Sequence, residues 1–530
     1  MKRSTILSKR MVWVAIFIAV AIGILSSSVL AAPVATDSGE GEHFSIFQID
    51  VQGNKIFSDK TMKNVTRKFL GENKTIRDIE LLQDAVLGIY KSAGYSLVSV
   101  GVFELQGSKN QLTVVIKEDV LRAIQIKGNK KLRDKDIRAI LPALKPGAAI
   151  NIRNLDKQVL AANENPSRAI STALQTIDVG VFDAIVTVTE GKMITNTITL
   201  DNTGNRDQDP LRYKYQFTHT ALGPARDATG VFIYYSSPQN VTEQYLLYYN
   251  QPFHETGSSL AFIAAKSKSD SGLARTGYGD YNVTGSGRFY SMHYMQPIYR
   301  TARTKLALDF GFEYIESVDN TSIFNIDVGP DINARPFSIG LRYNRQGVRD
   351  DISASLIHIN NISGSYLNDN DSYFLVRPNA TANYQIWRGS LSYLYRFKNG
   401  WLFNNRYEWQ YTAQPLIPDQ QFGLGGARSI RGFEERELLG DKGFSASFEI
   451  YTPLLAKKIR LLAFFDIGQA WSFDLFGDLG DPVTISSTGV GMRWQISPVF
   501  AFSADYGYVI KGYISPDHSS RLHFLFSATF

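Results

Sequence analysis

From Gly191 to Phe530 the chain is a succession of segments, about ten residues each, in which apolar and polar side chains alternate. A period of two places successive side chains on opposite faces of a strand. Residues 459–469 put Ile459, Leu461, Ala463, Phe465 and Ile467 on one face, with Arg460, Leu462, Phe464, Asp466 and Gly468 on the other. Residues 499–510 set Phe500, Phe502, Ala504, Tyr506, Tyr508 and Ile510 against Ser503, Asp505 and Gly507. The last segment sets Leu522, Phe524, Phe526, Ala528 and Phe530 against Arg521, His523, Ser527 and Thr529. A soluble sandwich with one wet face alternates too, but its strands average only about five or six residues. Strands of about ten residues, apolar outward and polar inward, fit a transmembrane β-barrel. Trp401, Trp471 and the pair Tyr248-Tyr249 fall where strand ends are expected, as an interfacial girdle would. Sixteen to eighteen strands are expected from residue 195 onward, and residues 371–397 read either as one long strand or as two.

Composition changes sharply at the boundary. Residues 43–190 hold two Tyr, Tyr90 and Tyr95, whereas Gly191–Phe530 hold 25 Tyr and five Trp. The first part reads as one unit used twice. Residues 47–54 resemble residues 123–129: each alternates as a strand and stops at Gly-Asn, a turn pair. Two helical segments follow each strand, at residues 59–70 and 77–93, then at 134–144 and 151–163. Ile79, Leu82, Val86, Ile89 and Tyr90 make one stripe of the second helix, and Gly94 stops it. Two strands close each unit, residues 97–105 with 111–117 and residues 169–176 with 182–189. The order β-α-α-β-β spans about 70–75 residues, a normal small domain.

Residues 1–31 read as a secretory signal peptide: a basic start, an apolar run from Met11 to Leu25, then Val29-Leu30-Ala31 as the cleavage site. An uncleaved N-terminal anchor is the alternative, since residues 11–32 could just cross a bilayer. Lys2, Arg3, Lys9 and Arg10 supply four of the formal +6, so the mature chain is close to neutral and its basic pI argues for no nucleic-acid partner. With zero Cys, disulfides, thiolate metal sites and Cys nucleophiles are excluded. No two of the seven His stand at ligand spacing. No Gly-x-Ser-x-Gly, His-Glu-x-x-His or phosphate-binding glycine loop with Lys occurs. No catalytic residue, metal or cofactor is therefore expected, and the chain reads as a non-enzyme.

The most informative stretch lies between the strands expected at residues 401–412 and 444–452. It runs Phe422-Gly-Leu-Gly-Gly-Ala-Arg-Ser-Ile-Arg-Gly-Phe433 and on to Gly443. A loop this long is usually functional or disordered, and its glycine density argues for a fixed shape.

At this point the chain resembles a known family. Gly425-Gly426 and Ser429-Ile430-Arg431-Gly432-Phe433, with Phe464-Phe465-Asp466-Ile467-Gly468, look like the two signature motifs of two-partner secretion transporters. These are the haemolysin and filamentous-haemagglutinin secretion channels, in the superfamily of the BAM and chloroplast import barrels. Asn163–Arg168, with Asn165, Pro166 and Arg168, resembles a motif of their second periplasmic domain, and residues 200–204 one of their first strand. The resemblance covers about residues 44–530.

It implies two POTRA domains, residues 44–118 and 119–190, and a 16-stranded antiparallel transmembrane barrel over residues 191–530. Residues 32–43 would be a short linker, without the plug helix that several members carry. The loop at residues 412–443 would fold into the lumen, with Arg431 at its tip meeting Asp466 on the wall. Glu449 alternates inward with Ser445 and Ser447, so it offers a second acceptor, and Gly468 of the strand motif is a further wall partner. The terminal Phe530 resembles the signal read by the barrel assembly machinery during biogenesis.

The implied function is an outer-membrane channel of a Gram-negative bacterium, with its POTRA domains in the periplasm. It would recognise a large unfolded exoprotein and carry it to the surface without nucleotide hydrolysis; outer-membrane lipid would surround it. Residues 97–103 and 170–176 are the candidate edges for capturing an extended segment by strand addition. Two alternatives stay open, an assembly factor for other barrels and a passive porin.

Overall fold

The computed structural model describes residues 43–104, 110–204, 210–238, 242–268, 272–276, 279–283, 286–318, 322–323, 326–327 and 331–530. The leader and nearly all of the expected linker lie outside the described residues. The chain divides into two compact units. One holds the described residues up to Gln52 with Phe57–Val86 and Gly101–Val115; the other holds Gly53–Ile56, Leu87–Val100 and Ile116–Phe530.

The repeat is built as the periodicities require. In the first copy, helix Asp59–Thr66 is capped by Ser58, whose Oγ accepts the Thr61 amide at 3.2 Å. Helix Ile76–Ala93 buries Leu82, Val86 and Tyr90 and ends at Gly94, where φ is +97°. The sheet order is Gln48–Gln52, Gln111–Glu118, Val98–Glu104, with the first two strands parallel. Phe44–Ile46 is a separate strand paired with Gly71–Lys74, a feature that alternation alone did not show.

The second copy orders its strands Val120–Lys127, Val181–Glu190, Arg168–Asp178. Its core joins Leu121, Ile137, Ile140, Leu155, Ala184 and Val186. The helix expected to reach residue 144 stops at Ile140. Pro142 follows Leu141, and the residue before a proline is pushed out of the helical region.

The two copies share one turn device. Gly53 and Gly128 sit at φ +83° and +85°, each pressed against a backbone carbonyl, of Ile116 and of Val188, that leaves no room for a side chain. Past each turn a glutamate collects backbone amides. Glu118 accepts from Lys55 and Ile56 at 2.8 and 3.0 Å. Glu190 accepts from Lys130, Lys131 and Leu132 at 3.0, 2.8 and 2.8 Å. Burial pushes the Glu190 carboxyl up, but the three amides prevail and hold it below its ordinary value.

The rest is a closed antiparallel barrel. Ile332–Ala334 and Pro336–Gln346 both pair with Thr304–Val318 and form one interrupted strand, so the wall has sixteen strands. The first strand, Ile194–Asp201, pairs with the last, Ser520–Thr529. Beyond that ladder Asn196 and Phe530 exchange both backbone hydrogen bonds, at 2.9 and 3.0 Å. Alternation sorts the side chains as expected. Along Ile459–Trp471, Leu461 and Phe465 are exposed, while Leu462, Phe464, Asp466, Gly468 and Ala470 are buried inward.

Two expectations are corrected. Residues 371–397 are neither one long strand nor two: they hold most of helix Asn370–Val376 and the single strand Gln385–Arg396. Asp369 caps the helix by accepting the Ser372 amide at 2.9 Å, a local signal that the apolar run hid. Tyr248-Tyr249 lie within strand Glu243–Phe253 rather than at its end, and Tyr248 turns inward, so that pair is no girdle. Trp471 does end its strand, and Trp401 directly precedes one. Among the described residues no helix is long and apolar enough to cross a membrane.

Candidate functional site

The long loop is ordered. Phe422–Leu424 and Leu438–Gly440 pair as a short antiparallel ladder, and the chain between them turns back on Gly425 and Gly426, at φ +109° and +102°. The Glu434 carbonyl would lie 2.5 Å from a Cβ at Gly425, and the Glu435 carboxylate 2.2 Å from one at Gly426, so the bend needs glycine twice. Glu435 is near because it accepts the Ala427 amide at 2.7 Å. The Ser429 hydroxyl accepts the Gly425 amide at 3.4 Å.

Ile430 and Phe433 carry the loop onto the wall. Both are fully buried, in a cluster with Leu424, Leu438, Ala470, Ile485 and Val509. Gly468 makes space for it: a Cβ there would meet Leu424 at 2.9 Å and Ile430 at 3.3 Å. Gly468 therefore acts by lacking a side chain.

Between Ile430 and Phe433 the guanidinium of Arg431 is 1% exposed. Its Nε donates to Asp466 Oδ2 and its Nη2 to Asp466 Oδ1, both at 2.8 Å. The Arg431 backbone amide donates to the same Oδ2 at 3.1 Å. Nη1 donates to Glu449 Oε1 at 2.7 Å, and Nη2 to Ser447 Oγ at 3.2 Å. The cation stands over the Phe464 ring, 3.5 Å from its centroid. Glu449 is held in turn by Asn404 and Tyr451, at 2.7 and 2.9 Å.

Alternation places Ser447, Glu449, Phe464 and Asp466 on the inner wall; the curvature of the following strands brings Asp505 and His523 to the same loop. Asp505 lies 3.8 Å from Arg431 and is forked by Arg493 at 2.7 and 2.8 Å. The Gly432 amide donates to His523 Nε2 at 3.0 Å. Gly507 lets the loop approach: a Cβ there would come within 2.6 Å of the Gly432 nitrogen. Sequence reasoning missed Phe464, Asp505 and His523 as loop partners. Inward phase was their only signal, and many luminal residues share it.

The Asn165-Pro166-Ser167-Arg168 segment forms a second cluster. Arg168 opens strand Arg168–Asp178 and is buried, while Pro166 stays exposed in the preceding turn. Arg168 Nη2 is ion-paired with Asp227, in the barrel turn at residues 223–228, and its Nε donates to the Ala162 carbonyl at 3.2 Å. Asn165 Nδ2 donates to the Thr220 carbonyl at 2.7 Å and to Asp227 Oδ1 at 3.0 Å. His254, in the next turn on the same rim, places Nε2 2.6 Å from Asp227 Oδ2. Burial pushes the His254 pKa down to about 4, helped by the cations Arg168 and Arg300. A neutral imidazole can still point an N–H at the shared carboxylate. Burial also pulls Arg168 down, to about 10, which leaves it charged at neutral pH.

The opposite rim has its own cluster. Asp441, fully buried, is forked by Arg377 from the loop after helix Asn370–Val376, at 2.5 and 2.8 Å. Arg377 also donates to the carbonyls of Leu416 and Phe473, at 2.6 and 2.9 Å. Three loops are thus tied at one point. Tyr373, Ala380, Tyr384, Leu416 and Ile417 pack beside it with Ile332 and Ile359. No group of three or more metal-ligating side chains stands together among the described residues.

Residues 182–493 match the family model described as haemolysin secretion/activation protein ShlB/FhaC/HecB, and residues 44–118 match that of the ShlB-type POTRA domain. The outer membrane transporter CdiB of Dickeya dadantii (strain 3937) is 19% identical over 422 residues, 79% of this chain and 74% of that protein. The solved structure of CdiB from Escherichia coli superposes with a TM-score of 0.70 at 16% identity, over 96% of this chain and 94% of that one. CdiB from Acinetobacter baumannii gives 0.67 at 14% identity, covering both chains fully. At such identities the two structures speak for the fold.

Proposed function

This chain belongs to the haemolysin secretion/activation protein family ShlB/FhaC/HecB, and we propose that its POTRA domains capture an unfolded exported partner and pass it through the barrel to the cell surface. It is an outer-membrane transporter of the two-partner secretion type, with its POTRA domains on the periplasmic side.

One observation carries the capture step. Val98–Glu104 and Arg168–Asp178 are each the outer strand of a three-stranded sheet. An edge strand offers unpaired amides and carbonyls that an extended chain can pair with whatever its sequence. Phe103 and Ile177, both exposed, give these edges apolar contacts for a partner's side chains. Direction would come from the cargo folding outside the cell, without nucleotide hydrolysis. Arg431 acts as a positioning residue that sets where the luminal loop sits while cargo passes.

The test is removal of residues 44–118. Secretion of the partner should stop while the barrel stays inserted and heat-modifiable. Secretion at the normal rate would remove the first repeat from the capture step. Levels of other outer-membrane barrels, measured in the same cells, should not change; a fall in them would favour the assembly reading.

A further inference from the structure

Four neighbouring strands, Glu243–Phe253, Ser258–Lys268, Ser286–Arg300 and Thr304–Val318, carry a groove of about 300 Å3 on the outer wall. Register explains it. Ala264 stands between Leu247 and Tyr290 in one cross-strand row, and that row continues to Tyr314. A methyl flanked by a leucine and a tyrosine leaves a trough. Tyr249, Phe262, Met292 and Phe312 form the next row toward the periplasm. The groove row and the row below it are thus wholly apolar or aromatic, and polar Gln251 first enters in the row beyond.

Above it the wall changes character within one row, about 7 Å farther along the strands. That row reads Tyr245, Lys266, Arg288, Glu316, and Lys268 stands beside Glu243 in the row beyond. Arg288 lies 3.5 Å from Glu316, and Lys268 lies 3.7 Å from Glu243. Lys266 has no ion-pair partner among the described residues. Three outward cations face two acids, at the rim away from the turns that hold Arg168. Lys and Arg on a lipid-facing wall are costly in the hydrocarbon layer and tolerated near its boundary. A Lys directly beside an Arg, both aimed outward, repels itself unless an anion sits between them.

We propose that this wall is a binding site for a phosphate-bearing acyl lipid of the outer leaflet. One acyl chain lies over Ala264 between Leu247 and Tyr290, and the phosphate sits on Lys266 and Arg288. Arg suits the headgroup because its fork donates to two phosphate oxygens at once. Charge complementarity and the step from apolar groove to cationic row, one row apart on the same strands, together select a lipid rather than a soluble anion or an apolar molecule.

The test uses the purified full chain in neutral detergent, examined by native mass spectrometry. The probes are diphosphoryl lipid A, the same lipid dephosphorylated, and inorganic phosphate as competitor. The phosphorylated lipid should stay bound at collision energies that strip the dephosphorylated one, and inorganic phosphate should not displace it. The double variant Lys266→Gln, Arg288→Gln should lower the bound fraction at least tenfold. Ala264→Phe, which fills the groove and keeps both cations, should lower it as much. Lys511→Gln, at the end of another strand, should change nothing. Equal retention of the two lipids, displacement by inorganic phosphate, or binding that survives Ala264→Phe would overturn the proposal. Heat-modifiability checks the folding of each variant, and the charge and groove arms fail independently.

Discussion

Arg431 and Asp466, 35 residues apart, are joined by three hydrogen bonds, two from the guanidinium and one from the arginine's own backbone amide. The side chain and the main chain of the loop tip are therefore fixed by one carboxylate. A point charge could not do this, because the fork needs two donors in one plane.

Removing one member of a buried pair typically costs about 3–5 kcal/mol, since the other charge is left unpaired. Arg431→Ala should therefore release the loop and reduce secretion more than barrel assembly. Arg431→Lys should also fail substantially. Asp466→Ala should be milder than a lone-pair loss implies, because Glu449 remains 2.7 Å from Nη1. The Arg431→Ala, Asp466→Ala double variant should be little worse than Arg431→Ala alone, as coupled sites do not add. Secretion assays on the four strains decide it; strictly additive defects would remove the pair from the mechanism.

Arg377 and Asp441 should act on closure. Arg377→Ala unties three outer loops from one buried carboxylate. We expect more frequent or larger openings in planar bilayers, with a normal heat-modifiable barrel. Conductance indistinguishable from the parent would show that the tie does not hold the mouth.

The periplasmic rim should be acid-sensitive through His254. Its folded pKa, about 4, lies below the value near 6.5 of an unfolded imidazole. The unfolded state then takes up the proton first. The stabilising contribution is complete above about pH 6.5 and is lost as pH falls toward 4. Glu190 starts to weaken only at the acid end of this window, near its unfolded value, and Asp183, held below its ordinary value by Arg122, weakens at still lower pH. The thermal transition should fall between pH 6.5 and 4 in the parent and flatten in His254→Gln. An identical slope in both would exclude His254.

Deleting Phe530 removes both backbone hydrogen bonds with Asn196, at the seam between first and last strands. The fraction of heat-modifiable protein should drop, most at elevated temperature. Full assembly of the truncated chain would show that the ladder from Leu525 to Thr529 closes the barrel unaided.

The sequence by itself determined the wall, the repeat and the loop. Alternation is a local property, so the inward phase of Asp466 and Glu449 follows from their immediate neighbours. The Gly-Asn turns and helix stripes are equally local, which is why two copies of one unit could be read before any contact was known. Tertiary structure alone decided which inward residues meet. Asp505 and His523 reach the loop because the strands that follow the Asp466 strand curve round the lumen and turn their inner faces toward the same loop tip. Asp227 receives the buried Arg168 and meets His254 because two turns of the barrel lie side by side on one rim. Helix Asn370–Val376 was hidden because its second half, Tyr373 to Val376, is as apolar and aromatic as a strand's, and only the Asp369 cap and packing against Leu416 and Ile417 separate the two. Partner choice between distant residues depends on closure and register, and one strand's pattern carries neither.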